Sequence, residues 1–549
     1  MAVSIWFAAF LLVFFHSETA AQANKSNVIG GQFIVKLKDG ADVNSINFGA
    51  RAKHSHIKEN KQLSAQLNIW LLYIDTAENT SIQLLQQLRQ NENILLAQHN
   101  HHISLRQKIP SDSLFPRQWN LNNAHNQPGT SRTDIQITEA WQTTTGGTTP
   151  AGDTIVIAVI DNGFDMRHED IDYWRNHYEI PGNGIDDDEN GYADDYYGWN
   201  VFNRSDSIPN RFHGTQVAGI AAARGNNNTG ISGVNWHVKT LAVAGSSETE
   251  AEVVSAYSYI YTLREQYNRK KTGAYVVCTN TSFGVDFGKA DDFPIWCEMY
   301  NALGSLGVLN VAATANAGIN LDSAHDIPSS CTSPYLITVT SANQQGRRDP
   351  VTAFGKNTVD IAAPGVSIFT TQPGGYGTVS GTSFAAPHVA GSIALLYAHP
   401  CTKFIKMAAD YPQQNALYIK EMLLRNAEVG EAFTDTVAAG GILNVNKAMA
   451  EINKLCETET IALDLLQLYP NPASNLLTVQ FIKTSPGQVK INIVNMLGQV
   501  VSQQLISGDK IGLIYETLDI KSLKQGAYLL SVSGQDTISQ PVKFIVYCK

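Results

Sequence analysis

The sequence predicts an α/β protein: a parallel sheet with helices on both faces, preceded by a small α+β unit and followed by a small β-sandwich. Three observations carry this. From about Trp119 to Cys456, apolar runs such as "TIVIAVID" and "GVLNVAATAN" lack polar alternation and take turns with Ala/Gly-rich helical stretches. That is the pattern of a sheet buried on both faces. Before it, two strand-like runs, "GGQFIVKLKDG" and "NIWLLYID", accompany one helical stretch, "SIQLLQQLRQN". After it, the last ~90 residues change to short alternating strands ("NLLTVQF", "KINIVN", "AYLLSVS", "KFIVY") divided by Gly, Pro and Asn, a small sandwich signature.

In chain order, the first 23 residues are an apolar run of signal-peptide length, closing on the A-x-A site Ala21-Gln22-Ala23, although no Lys or Arg precedes the run. No other run approaches the ~20 apolar residues of a membrane span. Residues 24–110 are locally basic and end in "QHNHHISLRQKIPSD", a polar segment that reads as exposed and cleavable. They hold His54, His56, His99, His101 and His102, five of fourteen histidines, which read as ordinary polar loop residues, the alternative being that their protonation loosens this unit on acidification. A metal site at His101-His102 is disfavoured, because neighbours on a strand point opposite ways. Residues 111–457 form the central domain and 462–549 the sandwich. The net charge of −10 argues against a nucleic-acid partner, which would require basic patches. An exported chain makes its six cysteines disulfide candidates, and the ~15 possible full pairings stay open. Cys401 with Cys456, and Cys297 with Cys331, are the favoured pairs, while Cys278 inside "AYVVCTNTSFG" reads as a buried thiol.

Three segments of the central domain carry chemistry. "VIAVIDNGFDMRHEDI" puts Asp161 at the carboxyl end of a hydrophobic strand, where open α/β sheets place functional groups. "RFHGTQVAGIAA" places His213 at a helix start, and "GTVSGTSFAAPHVAGSIALL" places Ser383 at another, with Pro387 near its first turn. A serine becomes a nucleophile when an imidazole takes its proton and a carboxylate fixes that imidazole's tautomer. The chain contains no G-x-S-x-G. "VLNVAATANAG" supplies Asn316 just past a buried strand, where its amide could donate to a tetrahedral oxyanion beside the Ser383 N–H. His168, His237 and His388 read as structural.

A fourth segment, "NGIDDDENGYADDYYGWN", sets six carboxylates within ten residues, between Asp161 and His213. "DDDENGYADD" fits the first nine positions of a calcium loop: Asp186, Asp188, Asn190, the Gly191 turn, the Tyr192 carbonyl and Asp194. Tyr197 stands where the twelfth-position Glu would be, so Asp195 is the candidate for the closing carboxylate. The expected cofactor is one structural calcium or more.

"IDNGFDMRHEDI", "HGTQVAGIAA" and "GTSFAAPHVAG" resemble the three signatures of the subtilisin-like serine proteases, in the order Asp, His, Ser. The resemblance spans about residues 115–450. It implies a subtilisin-like fold, serine endopeptidase activity, Asp161, His213 and Ser383 as triad, and Asn316 as oxyanion residue. It also implies that Ser282, Phe283, Gly284, Ala312, Ala313, Thr314 and Ala315 line the primary specificity pocket, with substrate added as a strand along the first segment. Calcium inserts of this kind are common in that family. Two positions depart from the family pattern: Ala315 replaces the usual Gly, and Phe384 replaces a common Met. Residues 24–110 resemble the propeptide of exported members, a folding aid and inhibitor. The tail "LYPNPASNLLTV … VNMLGQVV … GAYLLSV … KFIVY" resembles the sorting domain of type IX secretion. The implied partners are protein or peptide substrates, the chain's own propeptide and the type IX machinery. The implied location is secreted or cell-surface, reached through periplasm and outer membrane.

Overall fold

A computed structural model describes residues 28–46, 57–74, 81–101, 108–123, 133–246, 249–457, 463–483, 487–506, 512–534 and 538–547. The expected leader, residues 1–23, lies outside the described residues, as do His54, His56 and His102. The chain divides between Arg106 and Gln107 into two compact units.

The first unit contains β1 (Val28–Leu37), β2 (Ile57–Ser64), β3 (Ile69–Ile74), α1 (Ser81–Gln90) and β4 (Ile94–His101). Its sheet is antiparallel in the order β2-β3-β1-β4. Leu84, Leu85 and Leu88 repeat at helical spacing on α1 and bury themselves with Phe33, Val35, Leu37 and Leu72. His99 and His101 both belong to β4; burial, then the charge of His101, lowers the affinity of His99 for a proton.

The second unit is built on a nine-stranded sheet. It begins with α2 (Ile137–Ala140), β5 (Ile155–Asp161), β6 (Trp199–Asn200), α3 (Phe212–Ala222), β7 (Lys239–Ala244), α4 (Glu250–Lys270), β8 (Tyr275–Thr281) and β9 (Val285–Asp286). There follow α5 (Pro294–Ser305), β10 (Leu309–Ala313), α6 (Leu321–Ala324), β11 (Asp326–Ile327), β12 (Leu336–Ala342), β13 (Ile361–Pro364), β14 (Ile368–Gln372) and β15 (Gly375–Val379). The helices α7 (Ala386–Tyr397), α8 (Thr402–Asp410) and α9 (Pro412–Arg425), the short β16 (Glu428–Val429) and β17 (Gly441–Ile442), and α10 (Val445–Glu457) complete this part.

The sheet order is β16-β17-β13-β12-β10-β8-β5-β7-β6, and every pairing except β16–β17 is parallel. Every residue of β5 is buried, because alternate side chains enter different cores. Ile155, Ile157 and Val159 pack with Val217 of α3 and with Val389 and Ile393 of α7. Val156, Ala158 and Ile160 pack with Tyr257 and Ile260 of α4 and Trp296 of α5. Each such buried aliphatic side chain contributes about 1.5–3 kcal/mol, so helices cover both faces as the unbroken apolar runs require. The longest of these helices, α4, begins at a capping box: Thr249 and Glu252 satisfy each other's backbone N–H groups, with Glu250 and Glu252 in the first turn and Arg269 and Lys270 in the last.

Cys297 is bonded to Cys331 and Cys401 to Cys456, the favoured pairs, and Cys278 is a free, fully buried thiol. Cys548 lies outside the described residues.

The tail forms β18 (Leu463–Tyr469), β19 (Leu476–Lys483), β20 (Val489–Asn495), β21 (Val500–Ile506), β22 (Gly512–Asp519), β23 (Gly526–Ser533) and β24 (Val542–Val546). Two antiparallel sheets, β18-β19-β22 and β21-β20-β23-β24, enclose a core of Val479, Phe481, Ile491, Leu530 and Phe544. Ile482 and Leu513 instead join the larger core beneath α8 and α9, and Gly512 lies against Gln414. Among the described residues no helix is long and apolar enough to cross a membrane.

Candidate active site

Asp161 is the last residue of β5 and His213 the second residue of α3. Gly214 lets the two elements close up: a Cβ there would sit 2.3 Å from the Gly163 carbonyl oxygen and 2.9 Å from Asp161 Cβ. The His213 ring therefore reaches the strand end, and its Nδ1–H donates to Oδ1 and Oδ2 of Asp161, each at 2.9 Å. The Asn162 backbone N–H donates to the same carboxylate at 2.8 Å. Burial acts to lower the basicity of His213, but the hydrogen bond and charge of Asp161 outweigh it and raise its pKa above 6.5. With Nδ1 committed to Asp161, Nε2 is the nitrogen left to exchange a proton.

Ser383 was expected at the start of a helix. It lies instead in a 3-10 turn, Thr382–Phe384, just before α7, with Pro387 in the first turn of that helix. The Phe384 ring, next along the chain, is 5.6 Å from the His213 ring. Ser383 Oγ donates to the Ser282 carbonyl at 3.1 Å, and Ser282 Oγ donates back to the Ser383 carbonyl at 2.8 Å. The hydroxyl thus rests on the segment after β8, and rotation about its Cα–Cβ bond is what would turn it towards an imidazole.

Asn316 follows β10 by three residues. Its Oδ1 accepts from the Thr382 N–H at 3.0 Å and from Thr382 Oγ at 3.2 Å, so its Nδ2 group is the end left over. Gly381, at φ +140°, makes this approach possible, since a Cβ would stand 3.2 Å from Asn316 Oδ1.

A cavity of about 80 Å³ opens beside Ser383 and Asn316. Ser282, Phe283, Gly284, Ala313, Thr314 and Ala315 line it. Ala312 does not; it faces the core beneath α4 and α5, because successive residues of β10 point to opposite faces. Ala315 is buried with Leu321, Ala342 and Ala353, while its N–H donates to Asp326 Oδ2 at 3.2 Å. Two lining residues escaped the sequence reading, Asp286 and Asp326. They belong to two-residue strands that no periodicity could announce. Burial, reinforced by the charge of Asp286, pushes the Asp326 carboxyl up to about 7.

His388 is fully buried; its Nδ1–H donates to the Phe384 carbonyl at 2.9 Å, and Nε2 accepts from Asn120 at 2.8 Å. Burial pushes it down to about 4, so it is a neutral packing residue, not a second base. His168 is likewise tied to the Gly375 carbonyl and the Asp170 N–H.

Within the acidic loop, several of the carboxylates also bind the loop's own backbone. Asp186 accepts from the N–H groups of Asn190 and Gly191, and Asp194 from those of Asn183 and Gly184, so both fasten the loop's own backbone. Asn190 bridges the Tyr192 N–H and Asp195, and the Tyr192 ring packs on Trp199 and Tyr259. The carboxylates that converge are Asp188, Asp195 and Glu179, with one oxygen of each within 4.8 Å of the others. Glu179 precedes the motif and carried no local signal. Burial raises the pKa of all three, Asp195 to about 7, and no lysine or arginine is paired with any of them among the described residues. Three hard oxygen donors, two of them buried and mutually repelling, fit a divalent cation such as calcium.

The family model described as the subtilase family matches residues 152–448, and that described as a secretion system C-terminal sorting domain matches residues 467–547. Subtilisin-like protease 1 of Plasmodium berghei (strain Anka) is 32% identical over 271 residues, covering 45% of this chain and 43% of that protein. A thermophilic serine proteinase of Bacillus sp. (strain AK1) is 29% identical over 396 residues, 69% of this chain and 81% of its own. Subtilisin amylosacchariticus of Bacillus subtilis subsp. amylosacchariticus is 30% identical over 274 residues, 49% of this chain and 62% of its own. The chain thus spans less than half the length of the Plasmodium relative it matches. With the Asp, His and Ser segments inside the matched region and a sorting domain after it, the chain belongs to the subtilase family.

Proposed function

We propose that this protein is a secreted serine endopeptidase of subtilisin type. The observation that carries the reading is the double contact of His213 Nδ1 with Asp161, next to a serine whose neighbour Phe384 lies against that imidazole. Asp161 fixes the tautomer in which Nε2 is free of hydrogen. Nε2 takes the hydroxyl proton of Ser383 as Oγ bonds to the substrate carbonyl carbon. The carbonyl oxygen, now anionic, receives hydrogen bonds from Asn316 Nδ2 and the Ser383 N–H. The protonated His213 gives its proton to the departing amine as the C–N bond breaks, leaving an ester on Ser383. Water, deprotonated by the same nitrogen, then hydrolyses that ester.

Glu179, Asp188 and Asp195 would hold a calcium ion, aided by neighbouring loop oxygens. The ion supplies positive charge that stiffens the loop, and takes no part in bond-making. Residues 24–110 would serve as folding aid and inhibitor, and the tail would direct passage through the type IX route, after which it is removed at the surface.

Labelling with a fluorophosphonate, together with hydrolysis of peptide and simple ester substrates, tests the reading. Labelling that disappears in Ser383→Ala, with peptide cleavage, supports it. Cleavage of esters alone would indicate a serine esterase, and no labelling would indicate a silent surface protein stiffened by calcium.

A further inference from the structure

The cavity beside Ser383 has an unusual electrostatic make-up. Asp326 lines it and is only 2% exposed. Its Oδ2 accepts from the Ala315 N–H at 3.2 Å and from Ser329 Oγ at 2.9 Å, whereas Oδ1 has no hydrogen-bond partner among the described residues. Asp286, exposed, lines the same cavity. The two aspartates are direct cross-strand partners in the antiparallel pair β9–β11. Directly opposed residues project to the same face, and like charges there are destabilising. The lining contains no lysine or arginine to offset them. Two facing carboxylates with no cation beside them repel each other, and a bound cation would relieve that repulsion.

Asp326 Oδ2 fastens Ala315 and Ser329, but the facing pair of carboxylates is not used by the hydrolytic chemistry. It shares its cavity with Ser282 to Gly284, Asn316 and the candidate nucleophile Ser383. A substrate whose carbonyl carbon is placed against Ser383 Oγ and whose oxygen faces Asn316 sends the side chain of that same residue into this space. An apolar side chain would strip water from Asp326 without replacing its missing hydrogen bond. A guanidinium or ammonium group would supply both the donor and the charge, a strong basis for discrimination.

Resting on the serine endopeptidase reading above, we infer that the enzyme cleaves after basic residues, with Asp326 the specificity-determining residue at the base of the pocket and Asp286 assisting at its mouth.

The test compares peptide anilides that differ only in the residue before the scissile bond (Arg, Lys, Phe or Leu). It uses the secreted protein at pH 8, above the value of about 7 to which burial raises Asp326. The wild type is expected to favour Arg or Lys over Phe in kcat/KM by about 10- to 100-fold, and Asp326→Asn to reduce that ratio to about threefold or less. Asp286→Asn, at an exposed position that does not threaten folding, is expected to lower the ratio by a smaller factor. A second readout is independent of catalysis: benzamidine binding followed by calorimetry, expected to saturate on the wild type and to weaken in both variants. Equal cleavage after Phe and Arg, or benzamidine binding that neither variant changes, overturns the inference. Without any hydrolysis the endopeptidase reading fails, and the calorimetry alone then decides whether this cavity is a site for cations.

Discussion

Thr382 holds Asn316 by its oxygen: the backbone N–H and the hydroxyl of the residue before the candidate nucleophile both donate to Oδ1, at 3.0 and 3.2 Å. The single Thr382 hydroxyl hydrogen is shared with the Thr314 carbonyl, which lies closer, 2.5 Å from Oγ. The amide group is thereby locked with its donor end outward before any substrate binds. Asn316→Ala is expected to lower kcat by about 100- to 1000-fold with little change in KM. Thr382→Val keeps the backbone bond and loses both hydroxyl contacts, so its loss should be smaller and again confined to kcat. Steady-state kinetics on an anilide substrate measure both, and a pure KM effect in either variant would contradict the assignment.

Proton transfer to His213 requires the neutral imidazole, and Asp161 raises the pKa of this group above 6.5. The sign follows directly: kcat/KM falls as pH drops through that raised value, and the acid limb lies above 6.5. In Asp161→Asn the lowering effect of burial remains while the raising partner is gone. The limb should move to lower pH, with turnover down about 10⁴-fold. A pH–rate profile with the same midpoint in both proteins would refute the coupling.

Calcium removal should lower the melting temperature and open the 183–200 loop to proteolysis. An ion present at about 100 times its Kd contributes roughly 3 kcal/mol. Differential scanning calorimetry with and without a chelator measures this. Glu179→Gln should blunt the chelator response more than Asp186→Asn, because Glu179 belongs to the convergent group and Asp186 fastens backbone.

Phe384 occupies the position after Ser383, against the His213 ring. A phenyl ring offers no thioether to oxidise, so activity should persist during peroxide exposure. Phe384→Met should introduce peroxide sensitivity, visible as a faster decay of activity over time. Rapid loss in the unaltered protein would count against this account.

The sequence revealed most about the parts of the site fixed by local geometry. Asp161 at a strand end, His213 at a helix start and Asn316 after a strand are each dictated by a run of about ten residues. Each was legible because the surrounding apolar pattern sets where the element stops. The sequence predicts Ser383 as the start of a helix, and the first turn is 3-10 rather than α, since a Gly-Thr turn followed by Pro387 reads the same in either case. The resemblance implies Ala312 as a pocket residue, whereas period-two alternation along β10 sends it to the other core. Asp326, Asp286 and Glu179 left no trace. Asp326 meets Asp286 through two-residue strands, and Glu179 meets Asp188 and Asp195 where a loop closes back upon α4 through the Tyr259–Asp195 hydrogen bond; long-range closure of that kind has no periodic signature.

The seam between the sandwich and the central domain bears on what any detachment of the carrier would leave behind. Ile482 and Leu513 are contributed by the tail to a core that otherwise belongs to the peptidase. Severing the chain between the two would bare a greasy scar on α8 and α9, so a cut protein that stayed associated would behave in solution like the intact one. Size-exclusion chromatography after nicking the junction would reveal which pieces travel together.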